Sequence, residues 1–263
     1  MATVGEDVAA GGERYRGALV VTPTYDEYDN LEELTQSLWA ALPGAHILVV
    51  DDASGDGTPG WVRGHPRFGE ALFLLERPGK GGLGTAYLAG FAWGLRQEAN
   101  YARFLQIDAD LQHDPAEAPK LFAAMDGGAE LVLTSRYVGG VRVLNWPLQR
   151  LALSLAAAFY VRAMTGLPLT DPTSGYKLWS RDVLECLDFA DIESNGYAFQ
   201  IETSHYAWRM GVRLEEVPIV FEGRHAGSSK MSGEIAREAM IEVLKLAFRR
   251  GVVERRPRWR APA

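Results

Sequence analysis

A chain of 263 residues, 47% of them apolar, holds enough material for one large α/β domain or two small ones. Its net charge of -7 argues against a general nucleic-acid binder, which carries a basic excess. Cys186 has no second cysteine to pair with, and no apolar N-terminal segment reads as a secretory signal, so the expectation is a cytoplasmic protein without an intrachain disulfide.

Residues 1–16, rich in Gly, Ala and charge without periodicity, read as a disordered tail, and the basic, Pro-containing stretch 251–263 reads as another. A strand is predicted over 17–22, ending at Pro23, and a helix over 30–42, with Asn30 and Glu33 spaced as a capping box. The polar and aromatic loop between them lies at a strand's carboxyl end. A second strand over 45–50 runs into Asp51-Asp52-Ala53-Ser54-Gly55-Asp56-Gly57-Thr58, with Pro59 near the start of a short helix. A third strand over 71–75 leads through the glycine-rich run Gly79–Gly84 to a helix over 85–96. The fourth strand starts at Phe104 and runs into Asp108 and Asp110. Asp114 caps the helix that Pro115 begins, over 115–125, and a fifth strand over 130–134 ends at Ser135-Arg136-Tyr137.

This alternation predicts an α/β fold with a mainly parallel sheet covered on both faces, whose ligands sit outside the carboxyl ends of the strands. The second half is less regular: helices are predicted over 147–164, 181–187, 198–210 and 233–249, with an extended run over 214–221. No internal repeat or linker divides the chain, so a single domain is expected over 17–250. Its nucleotide half covers 17–140 and its acceptor half 141–250. Residues 144–169 are largely apolar, but Arg150 and Arg162 leave only 151–161 uncharged, too short to span a bilayer. Two readings stay open for this helix: an interfacial helix, suited by Trp146 and Tyr160, or packing on the domain's own core.

The stretch Asp108-Ala109-Asp110-Leu111-Gln112 concentrates the chemistry. On an extended chain Asp108 and Asp110 point the same way and Gln112 continues the row, offering hard oxygen ligands to Mg²⁺ or Mn²⁺. Two carboxylates so placed repel each other unless a cation or a proton intervenes. Gly79-Lys80-Gly81-Gly82-Leu83-Gly84 is a formal G-x-G-x-x-G, but it follows the third strand rather than the first, and the next strand ends in two acids. It reads as a plain turn, or as a loop bringing Lys80 near phosphates. Arg136, Arg224 and Lys230 would form a site for a second anionic group if they converge. His113 reads as a helix-start residue and His205 as structural.

The series Val21-Thr22-Pro23-Thr24-Tyr25-Asp26-Glu27, Val50 to Thr58, Asp108 to Pro115, Ser135-Arg136-Tyr137 and Gly227-Ser228-Ser229-Lys230-Met231-Ser232 resembles family 2 glycosyltransferases of the GT-A fold. Within them it is similar to the polyprenyl-phosphate (dolichyl-phosphate) mannose synthases, from about Gly17 to about Arg249. One departure is Asp26, where the family usually has Asn; another is the lack of the C-terminal transmembrane helices of some relatives.

The resemblance implies that Pro23, Tyr25, Glu27, Val50 and Asp52 hold the guanosine part of GDP-mannose. Asp108, Asp110 and Gln112 would bind the divalent ion, with Ala109 contacting through its main chain. Ser135, Arg136, Arg224 and Lys230 would face phosphates, with Asp110 and Arg136 nearest the chemistry, and residues 144–176 would receive a polyprenyl monophosphate. Membrane attachment, on the cytoplasmic face, would then fall to the amphipathic helices or to a separate membrane subunit. The alternatives are transfer of glucose or another sugar to the same lipid, transfer to a hydroxyl with Asp171 or Glu202 as base, a nicotinamide-dependent dehydrogenase, and a silent nucleotide-sugar sensor.

Overall fold

The computed structural model describes residues 13–222 and 233–248. Its main sheet has seven strands: β1 (Ala18–Thr24), β2 (His46–Asp51), β3 (Leu72–Glu76), β4 (Arg103–Gln106), β5 (Leu131–Ser135), β7 (Lys177–Ser180) and β8 (Leu214–Pro218). The short β6 (Val143–Leu144) and β9 (Phe221–Glu222) pair separately. The order in the main sheet is β3-β2-β1-β4-β7-β5-β8. Strands β1 to β4 are parallel as expected, with Val20 opposite Ile47 and Leu105. The sheet is not parallel throughout, because β7 runs antiparallel between β4 and β5. Order reverses beside β1 and β4, and such a switch point opens a crevice at the strand ends.

The two faces bury different helices. On one lie α1 (Tyr28–Ala41), which inserts Leu31, Leu34 and Leu38, and α4 (Ala118–Asp126), which inserts Leu121 and Phe122. The other carries α3 (Leu83–Leu95), α6 (Arg181–Cys186) and α7 (Gly196–Arg209), whose Phe91, Leu184 and Phe199 share a core with Leu19, Phe104 and Trp179. The short α2 (Thr58–Gly64) begins with Pro59 in its first turn, as expected. Asp114 caps the 3₁₀ turn that leads into α4 by accepting from the Ala116 amide at 2.8 Å, also as expected.

Two local expectations are corrected. Asn30 does not cap α1; it lies in the first turn, and its Nδ2 donates to Glu27 Oε2 at 2.6 Å. Tyr15, assigned to the N-terminal tail, is buried edge-on against Phe122, and Arg14 beside it pairs with Asp126 at 2.7 Å.

Helices α5 (Leu148–Thr165) and α8 (Gly233–Phe248) pack against each other, and the Tyr160 hydroxyl donates to the Met240 carbonyl at 3.0 Å. Both open readings of α5 have a counterpart here. Ala158 and Val161 are buried, whereas Leu153 and Phe159 are 52% and 65% exposed and continue into exposed Met240, Ile241 and Phe248 of α8. Among the described residues no helix is long and apolar enough to cross a membrane.

Candidate functional site

The ends of β1, β2, β4 and β5 open onto one cavity of about 790 Å³. Three of these four tips carry a residue in left-handed backbone. Asp26, Ala53 and Leu111 follow β1, β2 and β4 with φ of 58, 61 and 56°, the left-handed region that an L side chain rarely occupies. Asp26 tolerates it because its short polar side chain bonds locally: its Oδ1 accepts from the Gly55 amide at 2.9 Å, and its own amide donates to Ser54 Oγ at 2.9 Å. An Asn would supply the same acceptor, so the departure at position 26 keeps the clasp between the first two tips.

The left-handed turn at Leu111 also corrects the expected geometry of the acidic run. The hydrogen-bonded strand ends at Gln106, so Gln112 does not continue an extended row from Asp108 and Asp110; its backbone amide turns back to donate to Asp110 Oδ1 at 3.1 Å. Asp108, Ala109, Asp110 and Gln112 nevertheless all line the cavity. The Asp108 carboxyl is pushed up to about 6, by burial first and then by the charges of Asp110 and Glu27, against the hydrogen bond from the Tyr87 hydroxyl at 2.6 Å. Burial foremost, and then Asp108, hold the Tyr87 hydroxyl well above its ordinary range.

Pro23, Tyr25, Glu27, Asp52 and Lys80 form the neighbouring part of the wall. Asp52 is tied to the protein itself: Oδ1 accepts from Arg77 Nη1 at 2.6 Å, and Oδ2 from the amides of Gly81 and Gly82 at 3.0 and 3.2 Å. The glycine-rich run thus turns its amides onto a carboxylate, not outward to a pyrophosphate, and a Cβ at Gly81 would collide with the Arg77 guanidinium. That geometry removes the structural basis for a dehydrogenase. Lys80 lies on the ring of Tyr25, its Nζ 3.6 Å from the centroid.

Two expected contacts fall away from the cavity wall. Val50 is fully buried in the core beneath α3, on the same face of β2 as Leu48. Ser135 is also fully buried; its hydroxyl bonds to Thr170 Oγ1 at 2.8 Å and accepts from the amides of Tyr137 and Val138, which shapes the turn after β5.

Arg136 does face the cavity. Its Nε and Nη2 donate to the two oxygens of Asp171 at 2.6 Å each, and its amide donates to the same carboxylate at 3.1 Å. Burial works against the guanidinium charge, but the bonds and charge of Asp171 outweigh it and the pKa rises. Asp171 is therefore spoken for and is no free base. Glu202, the other base considered, accepts from the Ser194 amide at 2.9 Å and the Tyr206 hydroxyl at 3.0 Å. Arg224, Lys230 and the run 227–232 lie outside the described residues.

Sequence reasoning passed over several wall or support residues. Arg77 follows a strand tip, a position that elsewhere in the chain drew notice to Arg136. Arg150, singled out only as an interruption of an apolar run, lines the cavity with its guanidinium 4.0 Å over the Trp146 ring. Tyr87 sits inside a helix and had no local signal. His113, expected at a helix start, also lines the cavity; burial lowers it to about 4, so its ring is neutral near pH 7.

The donor set suits a divalent ion. Among the described residues no three His, Cys, Asp or Glu side chains form a cage, but two carboxylates with open positions are what Mg²⁺ or Mn²⁺ uses beside substrate phosphates. The backbone also leaves room beside one of them: a Cβ on Gly175 would stand 3.3 Å from Asp108 Oδ2.

Comparison with known proteins gives this geometry a context. In solved structures the chain resembles glucosyl-3-phosphoglycerate synthase from Mycobacterium tuberculosis in complex with Mn²⁺, UDP and phosphoglyceric acid. The TM-score is 0.67 at 19% identity, over 94% of this chain and 83% of that one, so the shared feature is the GT-A fold. In sequence it is 43% identical to the polyprenol monophosphomannose synthase of Mycolicibacterium smegmatis, over 95% of this chain and 96% of the relative. It is also 43% identical to the undecaprenyl-phosphate mannosyltransferase of Micrococcus luteus, over 86% and 92%. The dolichol-phosphate mannosyltransferase of Pyrococcus furiosus is 33% identical over 90% of this chain and 65% of the relative. The model of the family described as "Glycosyl transferase family 2" matches residues 19–188, which span β1 to α6 and with them the acidic tip of β4 and the arginine after β5. On these grounds the chain belongs to glycosyl transferase family 2.

Proposed function

We propose that this protein transfers mannose from GDP-mannose to a polyprenyl monophosphate, in a divalent-metal-dependent reaction that inverts the anomeric centre. The observation that carries the reading is one cavity lined both by two acids, Asp108 and Asp110, and by the Asp171-anchored Arg136. The three relatives named as acting on polyprenyl, undecaprenyl or dolichol phosphate support the acceptor and the sugar. The guanosine nucleotide rests on the resemblance of the motif set.

Tyr25, Glu27 and Asp52 would bound the nucleoside, and Asp108, Asp110 and Gln112 would hold the ion. Bound there, Mg²⁺ or Mn²⁺ supplies charge stabilisation for the departing diphosphate. Arg136, fixed in one orientation by its fork to Asp171, lowers the repulsion between two anionic substrates. A phosphate monoester, with a second pKa of about 6, is already a nucleophile at neutral pH and needs no base from the protein. The engagement of Asp171 and Glu202 fits that economy and counts against a hydroxyl acceptor. An oxygen of the lipid phosphate forms the new bond to the anomeric carbon as the bond to the diphosphate breaks, and GDP leaves with the electron pair. An α-linked donor then gives a β-linked product.

The exposed apolar side of α5 and α8 supports a lipid-facing orientation at a membrane surface, since Arg150, Ala239 and Lys245 of the same two helices line the cavity. The test is a panel of nucleotide sugars with polyprenyl phosphate in vesicles, with and without Mg²⁺ or Mn²⁺. Transfer from GDP-mannose that stops in EDTA is the expected result. Preference for a UDP-sugar would overturn the donor, and full turnover in EDTA would overturn the metal.

A further inference from the structure

Asp108 is gripped at one oxygen and left room at the other. Oδ1 accepts the Tyr87 hydroxyl at 2.6 Å. Beside Oδ2 the chain passes at Gly175, where an added Cβ would stand 3.3 Å from that oxygen and 3.4 Å from Gln200 Nε2. Gly175 and Gln200 both line the cavity, so the ungripped oxygen lies on its side. Tyr87 is itself fixed. It is fully buried, and its ring lies at 3° to that of Phe199 with centroids 6.1 Å apart, and at 24° to that of Phe91, also at 6.1 Å. That packing restricts the ring, and its hydroxyl fixes where Oδ1 of the carboxylate is held.

We propose that Tyr87 is a positioning residue for the divalent ion: by holding Oδ1 it presents Oδ2 of Asp108 to the cation as a single-oxygen ligand. This rests on the reading that Asp108 ligates the ion. Partners that orient a ligating carboxylate typically contribute tenfold to a hundredfold to metal affinity. Removing the hydroxyl frees the carboxylate to rotate while no ligand atom is removed.

The experiment is a Mn²⁺ titration of the full chain followed by electron paramagnetic resonance of the free ion, for wild type, Tyr87→Phe and Asp108→Ala. Tyr87→Phe should weaken Mn²⁺ about tenfold and raise the Mn²⁺ concentration needed for half-maximal turnover, with kcat restored at saturating Mn²⁺. A purely structural role would lower kcat or Tm and leave the Mn²⁺ titration where it was, and that outcome overturns the proposal. If Asp108→Ala titrates like wild type, the metal reading fails as a whole; if Asp108→Ala loses the ion and Tyr87→Phe does not, only the role of Tyr87 fails. Should Tyr87→Phe not fold, Phe199→Leu keeps the hydroxyl but removes the ring that aligns it. A weakened Mn²⁺ titration is expected there, and an unchanged one overturns the proposal.

Discussion

Asp52 and Asp108 end neighbouring parts of the sheet and line one cavity, yet their surroundings differ in kind. At the tip of β2 the Asp52 carboxylate meets the Arg77 guanidinium and two backbone amides, so its charge is balanced from within the chain. At the tip of β4 Asp108 meets a neutral phenol, with Asp110 and Glu27 adding negative charge, and no cation among the described residues pairs with it. A buried acid that the protein balances is part of the framework. One that it leaves unbalanced marks the place where charge must come from outside, and the cost of that imbalance in the free protein is what a bound cation relieves.

The sharpest way to break this comparison is to neutralise each acid in turn. Asp108→Asn should lower turnover by a factor of about 10³ or more, the scale on which loss of transition-state charge stabilisation acts. The same variant should raise the Tm of the metal-free protein, since it removes an anion that burial penalises. Turnover in a nucleotide-sugar assay and melting in EDTA check both halves. A variant that is inactive but also less stable would mean that Asp108 is a framework residue like Asp52.

The complementary substitution acts on the other tip. Arg77→Met should strand Asp52, whose side chain is only 7% exposed, at a cost on the order of 3 kcal/mol. For a domain of this size that is a fall in Tm of roughly 6–12 °C, readable by calorimetry. Adding Asp52→Asn to Arg77→Met should recover most of the loss, because the uncompensated charge then disappears. Failure to recover would locate the effect in the tie between Arg77 and Thr85, whose hydroxyl accepts from Arg77 Nη2 at 2.7 Å, instead of in the ion pair.

Which tip does which job was only partly legible in the sequence. Clusters of Asp, Ser and Gly after apolar runs announced the strand ends, because turn chemistry and burial pattern are local properties. The balance of charge is not local. Arg77 and Asp52 are joined across the β2–β3 pairing, where Asp51 stands opposite Glu76, so their meeting follows from register. Tyr87 reaches Asp108 because α3 lies against β1 and because Phe199, from a distant helix, stacks on its ring. Strand β7 escaped for a related reason: it is four residues long and begins with Lys177, a residue that reads as solvent-facing. Its ammonium is instead buried and donates to the Gln200 carbonyl and Ser204 Oγ at 2.7 and 2.8 Å, a solution that only the packed helix α7 supplies. Val50 shows the converse, a motif residue whose neighbours line the site while its own side chain faces the core.

The smallest expected effect is the most specific to the β4 tip. In metal-free protein the Asp108 carboxyl titrates at about 6 when folded, against 3.8 for the free group. Below about pH 4 both folded and unfolded chains hold this proton; between the two values the unfolded chain has released it and the folded one has not, so stability falls as the pH rises through that window. The contribution is roughly 3 kcal/mol at most, from the separation of the two pKa values. Burial lowers both His113 and His205 to about 4, which works in the opposite direction, with stability lost as the pH falls from 6.5. The Tm of one protein therefore mixes the two. The difference in Tm between Asp108→Asn and wild type, measured in EDTA from pH 4 to pH 7, removes the contribution common to both proteins from the histidines and brings out the carboxylate. That difference should widen as the pH rises, and Mn²⁺ should close part of the gap by stabilising wild type alone. A flat difference would mean that the β4 acid is balanced after all, as Asp52 is, and that the two tips are alike.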